Sequence, residues 1–387
     1  MSSMNYTSTS VASQAEQEEQ EELLVPLTEG TGEILHDTTS TGRTAPWREM
    51  KQQNTVLARM YQEINAGRRL QWESWRRDPD SPEPLVSGKF IGRLLDCSTW
   101  LEFYRDENQQ MRLKGGNFCH ARFCPTCNWR RSLKQFHNTS EQVSWIRQQY
   151  GNVRFLFLTL TVKNVPNSTQ CLEAAIKHLS ESWLRIVNSR LWNPQKNKNL
   201  QKFRRSFLGA SRALEITFHP DANTDQVNAG EFHPHLHIVL AMKSDYYLKP
   251  FYLTQKDFQQ LWKEAARLDY EPSVDIRELK GSKGIAESAK YSVKLSDVIK
   301  AAALSDGHFD PHAPLDLVNL LALEHLHEAT RGKQTLTLSG CFHAARHALK
   351  QQDTDDDLIH VTDDKVSFDP IERVLFTWKF DDMQYIC

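Results

Sequence analysis

Apolar positions along this chain change period several times, and the changes mark out alternating helices and strands. Residues 1–46 are rich in Ser, Thr, Gln and Glu and show no period, which predicts a tail without regular structure. From 48 to about 75, Val56, Leu57, Met60, Tyr61 and Ile64 recur at helical spacing, until the proline-rich stretch 78–84 breaks the chain. Residues 100–104 and 111–114 flank a polar turn at 106–110 and predict a hairpin, which a helix over 128–150 follows. The run 153–162 is mostly apolar with Thr159 and Thr161 near its end, the look of an interior strand. Residues 171–191 return to helical spacing, whereas 210–218 and 233–242 predict strands paired antiparallel across the polar insert 220–230. A helix over 255–268, a strand over 274–279 and a helix over 285–299 follow, and the remainder from 301 reads as mainly helical until a strand-like stretch at 374–380.

Interleaved helices and strands with an antiparallel pair predict an α+β fold, a central antiparallel sheet flanked by helices. The expected organisation is an acidic disordered tail (1–46), a helical segment and linker (47–84), a main domain (85–300) with a cysteine-rich knuckle at 97–127, and a mainly helical C-terminal region with an acidic tail (301–387).

Charge sharpens this division. The chain has 387 residues and a net charge of only −2, but residues 1–42 hold eight acidic side chains and no Lys or Arg. Residues 351–387 hold ten acidic against three basic, which leaves 43–350 at +13. A basic body between acidic ends fits a nucleic-acid binder whose ends limit nonspecific contacts, although solubility alone asks for much the same surface. No stretch approaches the ~18 apolar residues of a membrane helix, and the N-terminus lacks the cations of a signal peptide, so no membrane partner and a cytoplasmic location are expected. Seven cysteines, four of them between 97 and 127, suit a reducing compartment and a metal site better than a disulfide frame.

The segment 232–240 places His233, His235 and His237 at alternate positions, so on a strand all three imidazoles share one face. A lone histidine is more often a satisfied core or surface residue; three on one face point to a metal or phosphate site. Glu215, on the strand expected to pair with this one, is the candidate carboxylate ligand. Carboxylate with imidazole favours Mg²⁺ or Mn²⁺, which would polarise and orient a phosphate.

In the segment 285–294, Glu287, Tyr291 and Lys294 are spaced four and three apart and form one stripe on a helix. A phenol with a pKa of ~10 needs a nearby cation such as Lys294 or the metal to act as a nucleophile at neutral pH. Glu287, one turn away, is placed to activate water as a general base, and Lys290 adds a cation for DNA phosphate. Taken singly, such residues are more often core packing or a solvated helix face.

Cys119, Cys124 and Cys127 with Cys97 upstream have the makings of a structural Zn²⁺ knuckle, with His120 as substitute ligand should Cys97 lie too far away. Arg122, Arg130, Arg131 and Lys134 cluster on and after it as candidate contacts to DNA phosphates, and Trp129 as a stacking residue; surface solubility explains the same charges almost as well.

Taken in order, the knuckle FCPTCNWRR, FLTLTV, HPHLHIVL and ESAKYSVK resemble the plasmid rolling-circle replication initiators of the HUH endonuclease superfamily, in the branch with one tyrosine and a nearby glutamate. The resemblance spans roughly 89–300. It implies an RRM-like antiparallel sheet bearing the histidines, with the tyrosine helix packed beside it. It further implies that His235 and His237 are paired ligands, that Tyr291 forms a 5′-phosphotyrosine link, that Glu287 activates water to end replication, and that Lys294 is the motif lysine. His233 and Glu215 fit that pattern less closely. The implied partners are single-stranded or hairpin origin DNA, a host helicase and a host DNA polymerase. Three alternatives stay open: a single-strand transposase of the same superfamily, a histidine-triad nucleotide hydrolase that would have no need of Tyr291, and a zinc-containing DNA-binding regulator.

Overall fold

The computed structural model describes residues 25–37, 45–74, 83–188, 190–193, 197–222, 229–279, 285, 295–305, 308–351, 357–361 and 368–387. In chain order the elements begin with β1 (Leu27–Thr28), α1 (Trp47–Ser74), α2 (Gly88–Asp96), β2 (Trp100–Arg105), β3 (Met111–Gly116) and α3 (Pro125–Tyr150). There follow β4 (Arg154–Thr161), β5 (Val165–Pro166), α4 (Thr169–Val187), α5 (Lys198–Ser206), β6 (Phe207–His219) and β7 (Glu231–Met242). Next come α6 (Gln255–Ala265), β8 (Val274–Glu278), α7 (Leu295–Ala302), β9 (Leu304–Ser305) and β10 (His308–Phe309). The last are α8 (Leu317–Thr330), β11 (Leu336–Gly340), α9 (Cys341–Ala348), β12 (Glu372–Lys379) and β13 (Gln384–Ile386). The chain is thus α+β with antiparallel sheets, and the expected helices over 48–75, 128–150 and 171–191 each have a counterpart. No described helix is long and apolar enough to cross a membrane.

The chain divides into two units. The larger comprises 50–97 and 118–363 and is built on a six-stranded sheet of order β11-β6-β7-β4-β8, with β5 also paired to β7. All of its pairings are antiparallel, including the expected β6–β7 pair. β6 and β7 read as long apolar runs because both of their faces are largely covered. On one face Leu214, Leu236, Leu160 and Val274 join a core with Leu172 and Leu179 of α4, Leu261 and Trp262 of α6 and Leu323 and Leu326 of α8. On the other, Phe155, Phe157, Val239 and Ala241 pack with Val143 and Ile146 of α3, Phe342 and Ala345 of α9, and Ile285. Local chemistry sets the helix starts: Thr254 and Asp257 form a reciprocal capping box on α6, and the Asp316 carboxylate accepts from the Asn319 amide on α8.

Two boundaries differ from the sequence expectation. Residues 301–350 do not form a separate region, because β11 supplies an edge of the six-stranded sheet, pairing Leu336–Gly340 against Ala213 to Gly209, while α8 and α9 cover its two faces. The close approach requires glycine: Gly340 has φ +56, and a Cβ there would lie 2.1 Å from the Leu208 carbonyl oxygen. A mainly helical C-terminal region is likewise corrected, since β11 and β13 are strands besides the expected one at 374–380, which is present as β12.

The smaller unit comprises 1–49, 98–117 and 364–387. Its five-stranded sheet has order β1-β12-β2-β3, with β13 on β12. The expected hairpin is present as β2–β3, but its other neighbour is β12 from the C-terminus, so it stands outside the 85–300 domain in which the sequence reading put it. The tail expectation is also corrected for 25–37: Leu27 and Thr28 pair parallel with β12, Leu35 is buried, and Glu33 forms an ion pair of 2.6 Å with Arg105. A two-residue strand is too short to show a period, which is why this segment reads as tail.

Candidate metal centre

Register places the site. In the ladder Glu215 of β6 stands directly opposite His235 of β7, and on the far side of β7 His237 is opposite Thr159 of β4. Alternation puts Glu215, His235 and His237 on one face, while Leu214 and Leu236 turn into the core behind it. The three side chains converge. His237 Nε2 lies 2.6 Å from Glu215 Oε2, His235 Nε2 lies 3.4 Å from the same oxygen, and the two Nε2 atoms are 3.1 Å apart.

These spacings suit a cation. Two donors ~2.1 Å from a common ion at right angles stand ~3.0 Å apart, close to the separations found here. The outward-facing ring nitrogens are engaged elsewhere: His235 Nδ1 donates to the His233 carbonyl oxygen at 3.1 Å, and His237 Nδ1 lies 3.1 Å from Thr159 Oγ1. With a cation held in the cluster, each Nε2 would turn its lone pair to the ion; without one, an Nε2 proton donates to Glu215. Phe157 stacks on the His237 ring at 5.3 Å and fixes its plane. Glu215 is only 2 % exposed. Burial by itself would raise its pKa, but hydrogen bonds from His235 and His237 and their charge outweigh this and hold the carboxyl well below its usual range, ionised and ready for a cation.

His233, expected as a further ligand, lies outside this group of three. Its Nδ1 is 2.7 Å from Asn164 Oδ1, and burial with the neighbouring His235 and His219 charges lowers its pKa to about 4. It therefore stands at the rim as a neutral imidazole. Thr159 and Phe157 were not singled out as functional; the signal available was the alternation of threonines near the end of an otherwise apolar strand. Tyr291, Glu287, Lys294 and Lys290 lie outside the described residues. Ile285, six residues before Tyr291, is buried in the same cluster as Phe157 of β4 and Val239 of β7, the strand that bears the histidines.

Cys97, Cys119, Cys124 and Cys127 form a second group, all buried, with ligand atoms within 4.8 Å of one another. Sulfur separations of 3.5 Å (Cys97 to Cys124) and 3.7 Å (Cys97 to Cys127, Cys119 to Cys127) match the edges of a tetrahedron around an ion ~2.3 Å from each. Cys97 is therefore near enough, and His120 is exposed and outside the group. S–H donation from Cys124, Cys127 and Cys97 holds the Cys119 thiol far below its ordinary range, while burial pushes Cys124 well up. Beside them Lys51, fully buried, donates from Nζ to the Leu95 and Cys97 carbonyl oxygens at 2.5 and 2.6 Å. Burial lowers its pKa to about 8 against the opposing pull of the Cys97 and Cys124 charges.

The cations expected on the DNA surface are instead used inside the larger unit. Arg131 is 1 % exposed and donates to the His120 and Ala121 carbonyls. Arg130 donates to the Leu358 and Ile359 carbonyls, Lys134 to that of Asp357, and Arg122 to those of Thr330 and Lys333. Each donates to backbone acceptors within the larger unit. Arg131→Gln is accordingly expected to destabilise the protein by ~2–4 kcal/mol, read as a lowered urea midpoint. A variant of wild-type stability with weakened DNA binding would return Arg131 to the surface role.

A carboxylate and two imidazoles converging on one face of an antiparallel sheet, with a tetracysteine cluster in the same unit, define a class of protein with two candidate metal centres. Residues 110–386 match the family model described as Replication protein. The chain belongs to this family, the plasmid replication initiators known as Rep proteins. A "Protein rep" of Bacillus amyloliquefaciens is 32% identical over 303 residues, covering 73% of this chain and 79% of that protein. Similar proteins from Streptococcus pneumoniae serotype 2 and Lentilactobacillus hilgardii, also named "Protein rep", are 29% and 28% identical and cover 92% and 91% of this chain and 96% and 98% of their own. No solved structure matches.

Proposed function

We propose that the chain initiates rolling-circle replication as an HUH-type endonuclease that nicks single-stranded or hairpin origin DNA and holds the 5′ end on Tyr291. The carrying observation is the Glu215–His235–His237 cluster on adjacent antiparallel strands in a member of the replication-protein family. A carboxylate facing both imidazoles favours this reading over a histidine-triad hydrolase. A divalent ion, Mg²⁺ or Mn²⁺, held by these three residues supplies the Lewis acidity that polarises the scissile phosphate.

The chain's own groups perform the rest. Tyr291 Oη attacks phosphorus, the bond from phosphorus to the 3′ oxygen breaks, and that oxygen takes a proton to leave a free 3′-hydroxyl. This hydroxyl primes a host DNA polymerase while a host helicase opens the duplex. Lys294 favours the phenolate and Lys290 neutralises phosphate. Glu287 takes a proton from the water that later hydrolyses the phosphotyrosine. Ile285 supports this arrangement, because its anchorage with Phe157 and Val239 starts the tyrosine segment on the histidine side of the sheet. The tetracysteine cluster would hold a structural Zn²⁺, and the acidic ends would limit nonspecific binding in the cytoplasm.

The test is incubation of the purified protein with end-labelled single-stranded origin DNA and Mn²⁺ or Mg²⁺, followed by a denaturing gel. A labelled protein adduct is expected, absent in Tyr291→Phe, whereas Glu287→Ala nicks and fails to release. An undiminished adduct in Tyr291→Phe would exclude this nucleophile, and loss of nicking in Glu287→Ala would refute its role in release alone.

A further inference from the structure

Beyond the site, one end of the large sheet carries a cluster of aromatic rings and cations with no part in the chemistry above. It is built where β7 ends and β4 and β6 begin: Arg154 and Phe207 both stand opposite Met242 in the ladder. Tyr246, Tyr247 and Tyr252 form a three-ring group with centroids 5.1, 5.7 and 5.9 Å apart. Tyr246 is the buried anchor, its hydroxyl donating to the Leu253 carbonyl at 3.1 Å, whereas Tyr247 and Tyr252 are 42% and 41% exposed. Cations lie over and around these rings. The Arg205 guanidinium sits 3.4 Å from the Phe251 ring centre, that of Arg154 5.6 Å from Tyr247, and Lys202 Nζ donates to the Tyr252 carbonyl.

Lys243 and Lys249 are exposed on the same segment, and among the described residues neither they nor Arg154 form an ion pair. The acids facing the cluster are Asp245, 3.5 Å from Arg205, with Glu278 and Asp257, whose charges add to burial in raising the Tyr247 and Tyr246 pKa respectively. Exposed phenol rings held rigid by their neighbours offer faces for stacking, and uncompensated cations beside them offer phosphate contacts. Duplex DNA hides its base faces, so this pairing of features selects unpaired strands.

We propose that Tyr247 and Tyr252, with Arg154, Lys243 and Lys249, form an accessory binding platform for single-stranded DNA. The seven residue steps along β7 from His235 to Met242 set it ~23 Å along the strand from the candidate metal centre, at ~3.3 Å per residue. It therefore holds DNA flanking the nick rather than the reacting phosphate. The proposal rests on the DNA-processing reading above, but its test does not require cleavage.

The experiment measures fluorescence anisotropy of a labelled 30-nucleotide single strand with the full chain in buffer without added Mg²⁺ or Mn²⁺, comparing the parent with Tyr247→Ala/Tyr252→Ala and with Lys243→Gln/Lys249→Gln. The tyrosine pair is expected to weaken binding at least about tenfold. The lysine pair is expected to flatten the dependence of log affinity on log salt by about 1.4, two phosphate contacts at ~0.7 each. Nicking of a short oligonucleotide confined to the cut site should be unchanged in both, which also shows that the variants fold. Parent-like affinity in both variants overturns the platform. Weakened duplex binding with intact single-strand binding overturns the choice of occupant. If the parent binds and the variants lose binding while no chain nicks, the platform stands and the nuclease reading fails.

Discussion

His237→Ala is expected to abolish Mn²⁺- or Mg²⁺-dependent nicking and to weaken Mn²⁺ binding at least about a hundredfold. The size follows from its position. His237 Nε2 makes the shortest contact to Glu215, at 2.6 Å, and its Nδ1 partner Thr159 and stacking neighbour Phe157 hold the ring in place. Loss of an outer partner of a ligand typically costs 10–100-fold in metal affinity, and loss of the ligand itself costs more. Thr159→Val should therefore show the smaller effect, through the orientation of the same ring. Calorimetric titration with Mn²⁺ gives the affinity and the denaturing gel the nicking. Undiminished cutting in His237→Ala, or in His235→Ala, would refute the ligand assignment. Glu215→Gln separates charge from shape, since it keeps the packing of a side chain only 2 % exposed while removing the anion. It should fold and bind Mn²⁺ poorly.

The second large effect concerns the tetracysteine cluster. Its thiols sit at the end of α2 (Cys97), before α3 (Cys119) and at the start of α3 (Cys124 and Cys127), so one ion would tie these segments together. Structural zinc supplies apparent free energies of ~10–16 kcal/mol in small domains, comparable with the whole stability of many proteins. Even ~4 kcal/mol of it would correspond to ~8–16 °C in melting temperature. Purified protein should contain one Zn²⁺ per chain by elemental analysis, and strong chelation or Cys124→Ser should lower the melting temperature by at least that much. Metal-free protein with an unchanged melting temperature would leave the cluster as four buried thiols.

How far the sequence reveals this molecule depends on the range of the interaction concerned. The histidine face was legible because alternation is a local property: His235 and His237 at positions two apart must share a side of any strand. Glu215 could be proposed because a polar insert between two strand-like runs implies an antiparallel pair, and the register then brings it opposite His235. The partner of the β2–β3 hairpin was not legible. β12 lies more than 250 residues further along, and neither strand carries a mark that names the other. Arg130, Arg131 and Lys134 misled for a related reason. A charge in sequence gives no sign of which stray backbone oxygens await it, and here those of 357–359 and 120–121 take the donors. The helix expected to carry Tyr291 stays an expectation, since that residue lies outside the described ones.

β11 also governs how the protein can be dissected. Cutting the chain after the tyrosine segment, where the sequence motifs end, would strip Leu336–Gly340 from β6 and bare a ladder of amides and carbonyls. Such a fragment would recruit strands from its own copies and precipitate, so the smallest workable fragment has to run past Ala348.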